Sequence, residues 1–243
     1  MLFSFFLVPV TVSSPIPPYL EVYGGIKEVL KDAELSDDGI IAVGSNALLK
    51  LSARKEPLFY SLVLYPERFV GERKIYGVSF EPSPDAVSRE LKKTLGVKKI
   101  LILQTGNSKR YGNELLSSMK KNGFPVDTLN FKPSFLAAAL EKKDFEVLFV
   151  LPDPEVITTL HLQWLSLYCL KRGKILVGIS KRIIKAGGFM EITPHYREVG
   201  RLTGEIYHRW KNGERIKRIY RPEKVEVRIN RKLGKLLGLN HVP

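Results

Sequence analysis

Residues 99–129 read KILILQTGNSKRYGNELLSSMKKNGFPVDTL, and this stretch decides the fold class. The apolar run at 99–103 predicts a buried strand, and residues 105–108 predict a polar turn. Residues 109–121 have helical spacing of apolar side chains and end at Gly123, and 126–129 predict a second strand. A strand, a helix and a strand in this order are typical of a parallel crossover, which favours an α/β protein.

The same alternation extends in both directions along the chain. Further strands are predicted at 40–43, 58–64, 75–80, 146–151, 175–179, 189–192 and 225–229, with helices between them. One of these is a long helix that Pro154 opens and that ends near Gly173. About ten strands are many for one sheet in 243 residues, so we expect two α/β lobes with parallel sheets, joined by hinge strands.

Composition excludes several classes of protein. With 44% hydrophobic and 26% charged residues, the chain is neither disordered nor collagen-like. Its one cysteine, Cys169, permits no internal disulfide, and its four histidines lack ligand spacing, so we predict no metal site. No window of about 18 uncharged apolar residues is present, so no membrane-spanning helix is predicted.

The net charge of +14 suggests an anionic partner, either nucleic acid or a membrane surface. Residues 201–243 contain 12 Lys and Arg against 4 Asp and Glu. These charges alternate with apolar residues, as on the solvated faces of an ordinary strand and helix. No nucleic-acid-binding motif accompanies them, so we expect no specific nucleic-acid partner.

The apolar N-terminus has two interpretations. Residues 2–12 resemble the core of a signal peptide, but they lack the positive residues and the small-residue cleavage site of one. Alternatively they form a buried strand that ends at Ser13 and Ser14, followed by a helix over 19–31 that Pro17 and Pro18 open. We favour the strand.

Polar side chains follow four of the predicted strands. They are Ser13 and Ser14; Gly44, Ser45 and Asn46; Thr105, Asn107 and Ser108; and Asp153. In an open parallel sheet, ligands bind outside the carboxyl ends of the strands. The hydroxyls, amides and backbone donors suit a carboxylate or a phosphate, and Asp153 suits an ammonium group. Donors at several loops with one fixed carboxylate predict an amino-acid site. The alternative is that these residues only cap helices.

No enzyme signature accompanies these turns. The sequence lacks a nucleophile elbow, a phosphate-binding loop and a dinucleotide-binding glycine pattern, so we predict no cofactor and no catalysis. Cys169 lies among apolar residues and is interpreted as a core thiol rather than a nucleophile. His161 is interpreted as a surface or half-buried side chain, and Trp164 and Trp210 as core residues.

Several segments, taken together, resemble a known family. Near the C-terminus they are residues 188–192, 199–204, 211–214 and 229–239, with Gly234 where alanine is usual; upstream they are 13–19, 42–48, 64–67, 75–84 and 151–153. In their order and spacing these segments resemble the ABC-transporter substrate-binding proteins with the type I periplasmic-binding-protein fold. The similarity is to the branch whose better-known members bind aromatic amino acids.

This resemblance implies two Rossmann-like lobes that close over an amino-acid-like ligand. By the family's topology, residues 1–95 and about 188–215 form one lobe, and 96–187 and about 216–243 form the other. It implies that Tyr19, Tyr65 or Tyr196 packs against the ligand's apolar side chain and that Asp153 contacts its ammonium group. It also implies an ABC permease as the partner.

One departure concerns the first lobe. Between Leu30 and Gly39 the family has an additional strand and helix, whereas this chain has only residues 31–38. The first lobe is therefore expected to be shortened and to lack that strand. This leaves an alternative function, an orphan ligand-sensing or interaction module of the same fold without a transport role. The protein is expected to be extracytoplasmic if an export signal lies upstream or within residues 1–14, and cytoplasmic otherwise.

Overall fold

The computed structural model describes residues 7–70 and 74–239. In chain order they form β1 (Val8–Val12), α1 (Pro17–Val29), β2 (Ala33–Leu35), β3 (Ile41–Val43), α2 (Ser45–Leu51), β4 (Leu58–Val63), α3 (Glu67–Val70), β5 (Ile75–Ser79), α4 (Pro84–Leu95), β6 (Ile100–Gln104), α5 (Lys109–Lys121), β7 (Val126–Asn130), a 3-10 turn (Pro133–Phe135), α6 (Leu136–Glu141), β8 (Val147–Val150), α7 (Thr159–Lys171), β9 (Ile175–Gly178), α8 (Arg182–Lys185), β10 (Met190–Pro194), α9 (Tyr196–Lys211), β11 (Ile219–Tyr220), β12 (Val225–Ile229) and α10 (Arg231–Leu236).

These elements belong to two compact units, and each unit is built from two segments of the chain. Unit 1 comprises the described residues of Met1–Pro82 and Pro194–Lys224, and unit 2 those of Ser83–Thr193 and Val225–Pro243. The boundaries differ from the expected ones. Residues 83–95, which include α4, and residues 188–193 lie in unit 2, and residues 216–224 lie in unit 1. Helix α4 is held there by α5, since the Ser118 hydroxyl donates to Asp85 Oδ1 at 2.6 Å and lies 3.0 Å from the Ser88 hydroxyl.

Unit 1 contains a parallel sheet in the order β11-β5-β4-β3-β1-β2. The expectation that a strand is missing after Leu30 is wrong, because β2 pairs with β1 at the edge of the sheet. Only a helix between β2 and β3 is absent. A tight connection replaces it, in which Thr11 Oγ1 donates to Ser36 O at 2.8 Å and accepts from Gly39 N–H at 2.8 Å.

Strand β1 lies between β2 and β3, which confirms a strand for residues 8–12. Residues 1–6 lie outside the described part of the chain. The helix after β1 packs closely on α9, because glycines lie at the crossing. A Cβ on Gly25 would lie 2.0 Å from Arg197 O, and one on Gly200 would lie 2.0 Å from Val22 O. The core of unit 1 is built around this helix pair and the sheet.

Unit 2 contains a second sheet in the order β12-β10-β9-β8-β6-β7. Its pairings from β7 through β6, β8 and β9 to β10 are parallel. The predicted strand, helix and strand of residues 99–129 are confirmed as β6, α5 and β7. Buried apolar side chains of β6 and β8, such as Leu103 and Phe149, fill the centre of the unit.

Two predictions for the second unit are wrong. Pro154 does not open the long helix, because α7 begins at Thr159 and is capped by Thr158, whose hydroxyl accepts from His161 N–H at 3.2 Å. Trp164 is not a core residue, since it is 39% exposed. Trp210, by contrast, packs against the core of unit 1. In the described part of the chain, no helix has both the length and the apolar character needed to cross a membrane.

Candidate functional site

The carboxyl ends of β1 and β3 bring three predicted site residues together in unit 1. Ala47 N–H donates to Ser13 Oγ at 3.0 Å, so Ser13 caps the first turn of α2 from a distant part of the chain. Gly44 has a φ of +88°, and a Cβ on it would lie 2.5 Å from Ser13 Oγ and 3.0 Å from the Tyr19 ring. Glycine is therefore required where Ser13, Gly44 and Tyr19 meet.

Three more predicted residues lie at the same strand ends. Ser14 and Ser45 are half-buried, and Asn46 is exposed. Among the residues that the structure describes, none of these three side chains has a hydrogen-bond partner. Ser13 differs from them, because its hydroxyl oxygen already accepts from Ala47 N–H of α2. Two hydroxyls and one amide are thus free to bind a polar group.

The other two predicted tyrosines of unit 1 are buried. Tyr65 follows β4, is 1% exposed and has a φ of +49°. Tyr196 begins α9, is 4% exposed and belongs to the core of the unit. The structure places both rings inside unit 1, and their role towards a ligand stays a prediction.

Glu81 holds the loop of Tyr65, and sequence reasoning missed it. Its carboxylate is fully buried, accepts from Tyr65 N–H at 2.6 Å and lies 3.4 Å from Arg221. Burial raises the pKa of Glu81 to about 7, and the Glu67 carboxylate adds to this, although Arg221 and the Tyr65 N–H act in the opposite direction. Glu81 is therefore a titrating group close to a predicted site residue.

In unit 2 the carboxyl ends of β6 and β8 form one hydrogen-bonded network. The Thr105 hydroxyl donates to Asp153 Oδ2, and Thr105 N–H donates to Ser108 Oγ at 2.8 Å. Asp153 Oδ1 accepts from Glu155 N–H at 3.0 Å. Thr105, Ser108 and Asp153 are all buried. The structure thus brings these three predicted residues together, in a network that fixes two loops.

This network changes the interpretation of Asp153. The side chain is 0% exposed, and both carboxylate oxygens already accept hydrogen bonds. Asp153 does not cap α7; it caps the turn that follows it, in which Val156 N–H and Ile157 N–H donate to its backbone oxygen. Its primary role in this structure is to join the β6 and β8 loops.

The exposed edge of the network is formed by Asn107 and Glu155. Asn107 N–H donates to Thr105 Oγ1 at 3.1 Å, and its side-chain amide donates to Glu155 Oε1 at 2.9 Å. Glu155 is exposed, so its carboxylate can accept a further donor. Sequence reasoning missed Glu155, although its position two residues after Asp153 in the same loop was a usable signal.

Cys169 and His161 lie where the sequence predicts them. Cys169 is 1% exposed in the core of unit 2, and burial raises the pKa of its thiol to about 12, so it is not a nucleophile at neutral pH. His161 is half-buried, with Nδ1 2.9 Å from Glu155 O. Within residues 7–70 and 74–239, no three His, Cys, Asp or Glu side chains are grouped to hold a metal ion.

Solved structures of the same fold include ligand-binding proteins. An ABC domain from Streptococcus pneumoniae, solved with L-Trp, is 16% identical with a TM-score of 0.62 over 95% of this chain and 93% of that chain. A substrate-binding protein with adhesive properties from Clostridium difficile, solved ligand-free and open, is 17% identical with a TM-score of 0.70 over 95% and 94%. A periplasmic ribose ABC transporter from Conexibacter woesei is 11% identical with a TM-score of 0.54 over 96% and 94%.

These likenesses confirm the fold, which is that of the type I periplasmic binding proteins of ABC transporters. No family model and no curated protein matches the sequence. At these identities the likeness says nothing of the ligand, and the neighbours include both an amino-acid and a sugar system.

Proposed function

We propose that this chain is the solute-binding component of an ABC uptake system and binds a small amino-acid-like ligand without chemistry. One observation carries the proposal. On a fold whose solved examples bind small molecules, Ser14, Ser45 and Asn46 stand at the carboxyl ends of parallel strands with no hydrogen-bond partner in the described structure.

Each group has a role in the proposed binding. The hydroxyls of Ser14 and Ser45 and the amide of Asn46 donate to the ligand's carboxylate. Tyr19, beside Gly44, packs against its apolar side chain. In unit 2 the network of Thr105, Asn107, Ser108 and Asp153 fixes a polar loop, at whose edge the exposed Glu155 carboxylate can accept from an ammonium group.

The transport role implies two further features. A membrane permease receives the ligand, and the protein acts outside the cytoplasm. The second candidate is a ligand-sensing module of the same fold without a transport role. The absent helix between β2 and β3 favours it, because that element belongs to the family pattern.

Titration calorimetry with a panel of L-amino acids, aromatic ones included, tests the ligand class, with ribose and glucose as the sugar arm. We expect a saturable one-site isotherm with at least one amino acid and none with the sugars. Asn46→Ala removes one hydrogen bond and should weaken that affinity about tenfold. Lys50→Ala, on the exposed side of the same helix, is the control and should leave it unchanged. No heat with any amino acid, or an equal loss in both variants, would refute the proposal.

A further inference from the structure

Helix α7 is apolar on its outer side as well as its inner side. Leu162, Leu165 and Cys169 face the core of unit 2. On the opposite side, Leu160 is 73% exposed, Leu167 51% and Leu170 41%, and Trp164 lies between them. A surface helix of a globular protein normally carries polar residues on that side. Leu160, Trp164 and Leu167 follow the i, i+4, i+7 spacing of a single stripe, so the apolar side chains are contiguous along the helix.

The segment that contains α6 contacts both ends of α7. The ring of Phe131, before the 3-10 turn, lies edge-on to His161 with 5.0 Å between centroids, and Arg172 after α7 donates to Glu141 at the end of α6. These two contacts keep α6 alongside α7. Phe135, the last residue of the 3-10 turn before α6, is 69% exposed. We name the exposed apolar side of α7 the α7 face; it consists of Leu160, Trp164, Leu167 and Leu170.

Five cations without carboxylate partners lie on α7 and on the elements next to it in the chain. Lys132 precedes the 3-10 turn, Lys142 follows α6, and Lys171 ends α7. Helix α8, which packs on α7, adds Arg182 and Lys185. Among the described residues, none of these five cations is in an ion pair, and Arg182 instead donates to Ile157 O at 3.2 Å. The nearby Glu141 is already paired with Arg172. Glu155, beside His161 of α7, is exposed and accepts from the Asn107 amide, so the five cations outnumber the carboxylates near this helix.

We propose that the α7 face docks on an anionic membrane surface, with its leucines and Trp164 at the headgroup boundary and the neighbouring cations against lipid phosphates. Aromatic and aliphatic side chains together with cations are the chemistry that anionic bilayers select. The net charge of +14 favours such a surface, and this docking does not depend on the proposed ligand binding.

Two features of the α7 face disfavour a second copy of the chain as its occupant. A symmetric pair would bring two sets of unpaired cations together, which repel each other. The face is also small. It lies along a helix of thirteen residues, about 20 Å long, whereas a stable dimer buries about 800 Å² on each partner.

Vesicle flotation of the full chain tests the proposal. We expect the protein to float with vesicles of 70% phosphatidylcholine and 30% phosphatidylglycerol, and binding to pure phosphatidylcholine to be about tenfold weaker. The double variant Leu160→Gln and Leu167→Gln should lose binding about tenfold, because both side chains are exposed and contribute to insertion. Leu49→Gln with Leu236→Gln is the matched control, since these leucines are 55% and 71% exposed elsewhere, and it should bind like the wild type.

Three results would overturn the proposal. The first is absence of binding to the anionic vesicles at low salt. The second is an equal loss in the control variant. The third is a concentration-dependent dimer, measured by light scattering, that the Leu160 and Leu167 substitutions abolish; this would assign the face to a second copy.

Discussion

Replacing Asp153 with alanine removes a buried acceptor that two donors share. The Thr105 hydroxyl and the Glu155 N–H would both lose their partner, in a place where water does not reach the carboxylate. A hydrogen bond to a charged group contributes about 1.5 to 3 kcal/mol, and part of this is offset because a buried charge also disappears. We therefore expect Asp153→Ala to lower the free energy of unfolding of unit 2 by about 3 kcal/mol.

Asp153→Asn should cost less, about 1 kcal/mol, because its amide oxygen can still accept from Glu155 N–H while its NH₂ faces the Thr105 oxygen. Glu155→Gln is the control. Its side chain is exposed and bonds only Asn107, so its effect should stay below about 0.5 kcal/mol.

Urea unfolding followed by circular dichroism measures these differences, and hydrogen exchange of the β6 and β8 amides assigns them to unit 2. If Asp153→Ala costs less than about 1 kcal/mol, the carboxylate does not join the two loops, and the reasoning from its two bonds is wrong.

Three further predictions concern stability. Gly25→Ala should lower the free energy of unfolding by about 2 to 3 kcal/mol, because its Cβ would lie 2.0 Å from a carbonyl of α9. The adjacent Gly24→Ala has nothing within 4 Å of its Cβ and should stabilise α1 slightly. Urea unfolding measures both variants. Gly44→Ala places a Cβ against Ser13 Oγ at a left-handed φ and should lower the free energy of unfolding by about 2 kcal/mol. Gly96→Ala, at a φ of +66° with no atom near the added Cβ, should lower it by about 1 kcal/mol. The pKa of Glu81 is raised to about 7, so the folded protein favours the protonated form of this side chain. Protonated Glu81 therefore stabilises the folded state fully below the ordinary pKa of a glutamate, and this stabilisation is lost as the pH rises through 7. Glu81→Gln should make the melting temperature depend less on pH between pH 5 and 8. An unchanged slope would contradict this reasoning.

The alternation of strands and helices was predictable because each turn carries its own signal. Gly123 ends α5, and Ser83 caps α4, accepting from Ala86 N–H at 3.1 Å. The edge strands β2 and β11 carry no such signal, since they have three and two residues and are largely outside the core. Their pairing depends on the neighbouring strand, which local sequence does not describe.

The strand-end residues were predictable as a set, because position at a strand end follows from the order of elements. Their hydrogen bonds were not. Asp153 and Thr105 are 48 residues apart, and Glu81 and Arg221 are 140 residues apart. The misplaced start of α7 has a local cause: Pro154 is a common first residue of a helix, but the turn closed by Asp153 occupies that position and Thr158 provides the cap. The prediction that Trp164 lies in the core was wrong because α7 has apolar residues on both sides, so the sequence does not show which side of the helix faces the core.

The division of each unit into two chain segments has a consequence for synthesis on the ribosome. Unit 1 begins first, yet α9, which supplies Val199, Ile206 and Tyr207 to its core, follows only after residues 83–193 have been translated. At about 5 to 20 residues per second this takes roughly 6 to 22 s. At the end of that interval the face of α1 around Val22 and Ile26 still has no partner. By then five of the six strands of unit 2 have been translated, and β12 and α10 are its described elements still to come. The second unit can therefore begin to fold before α9 covers the α1 side of the first unit's core.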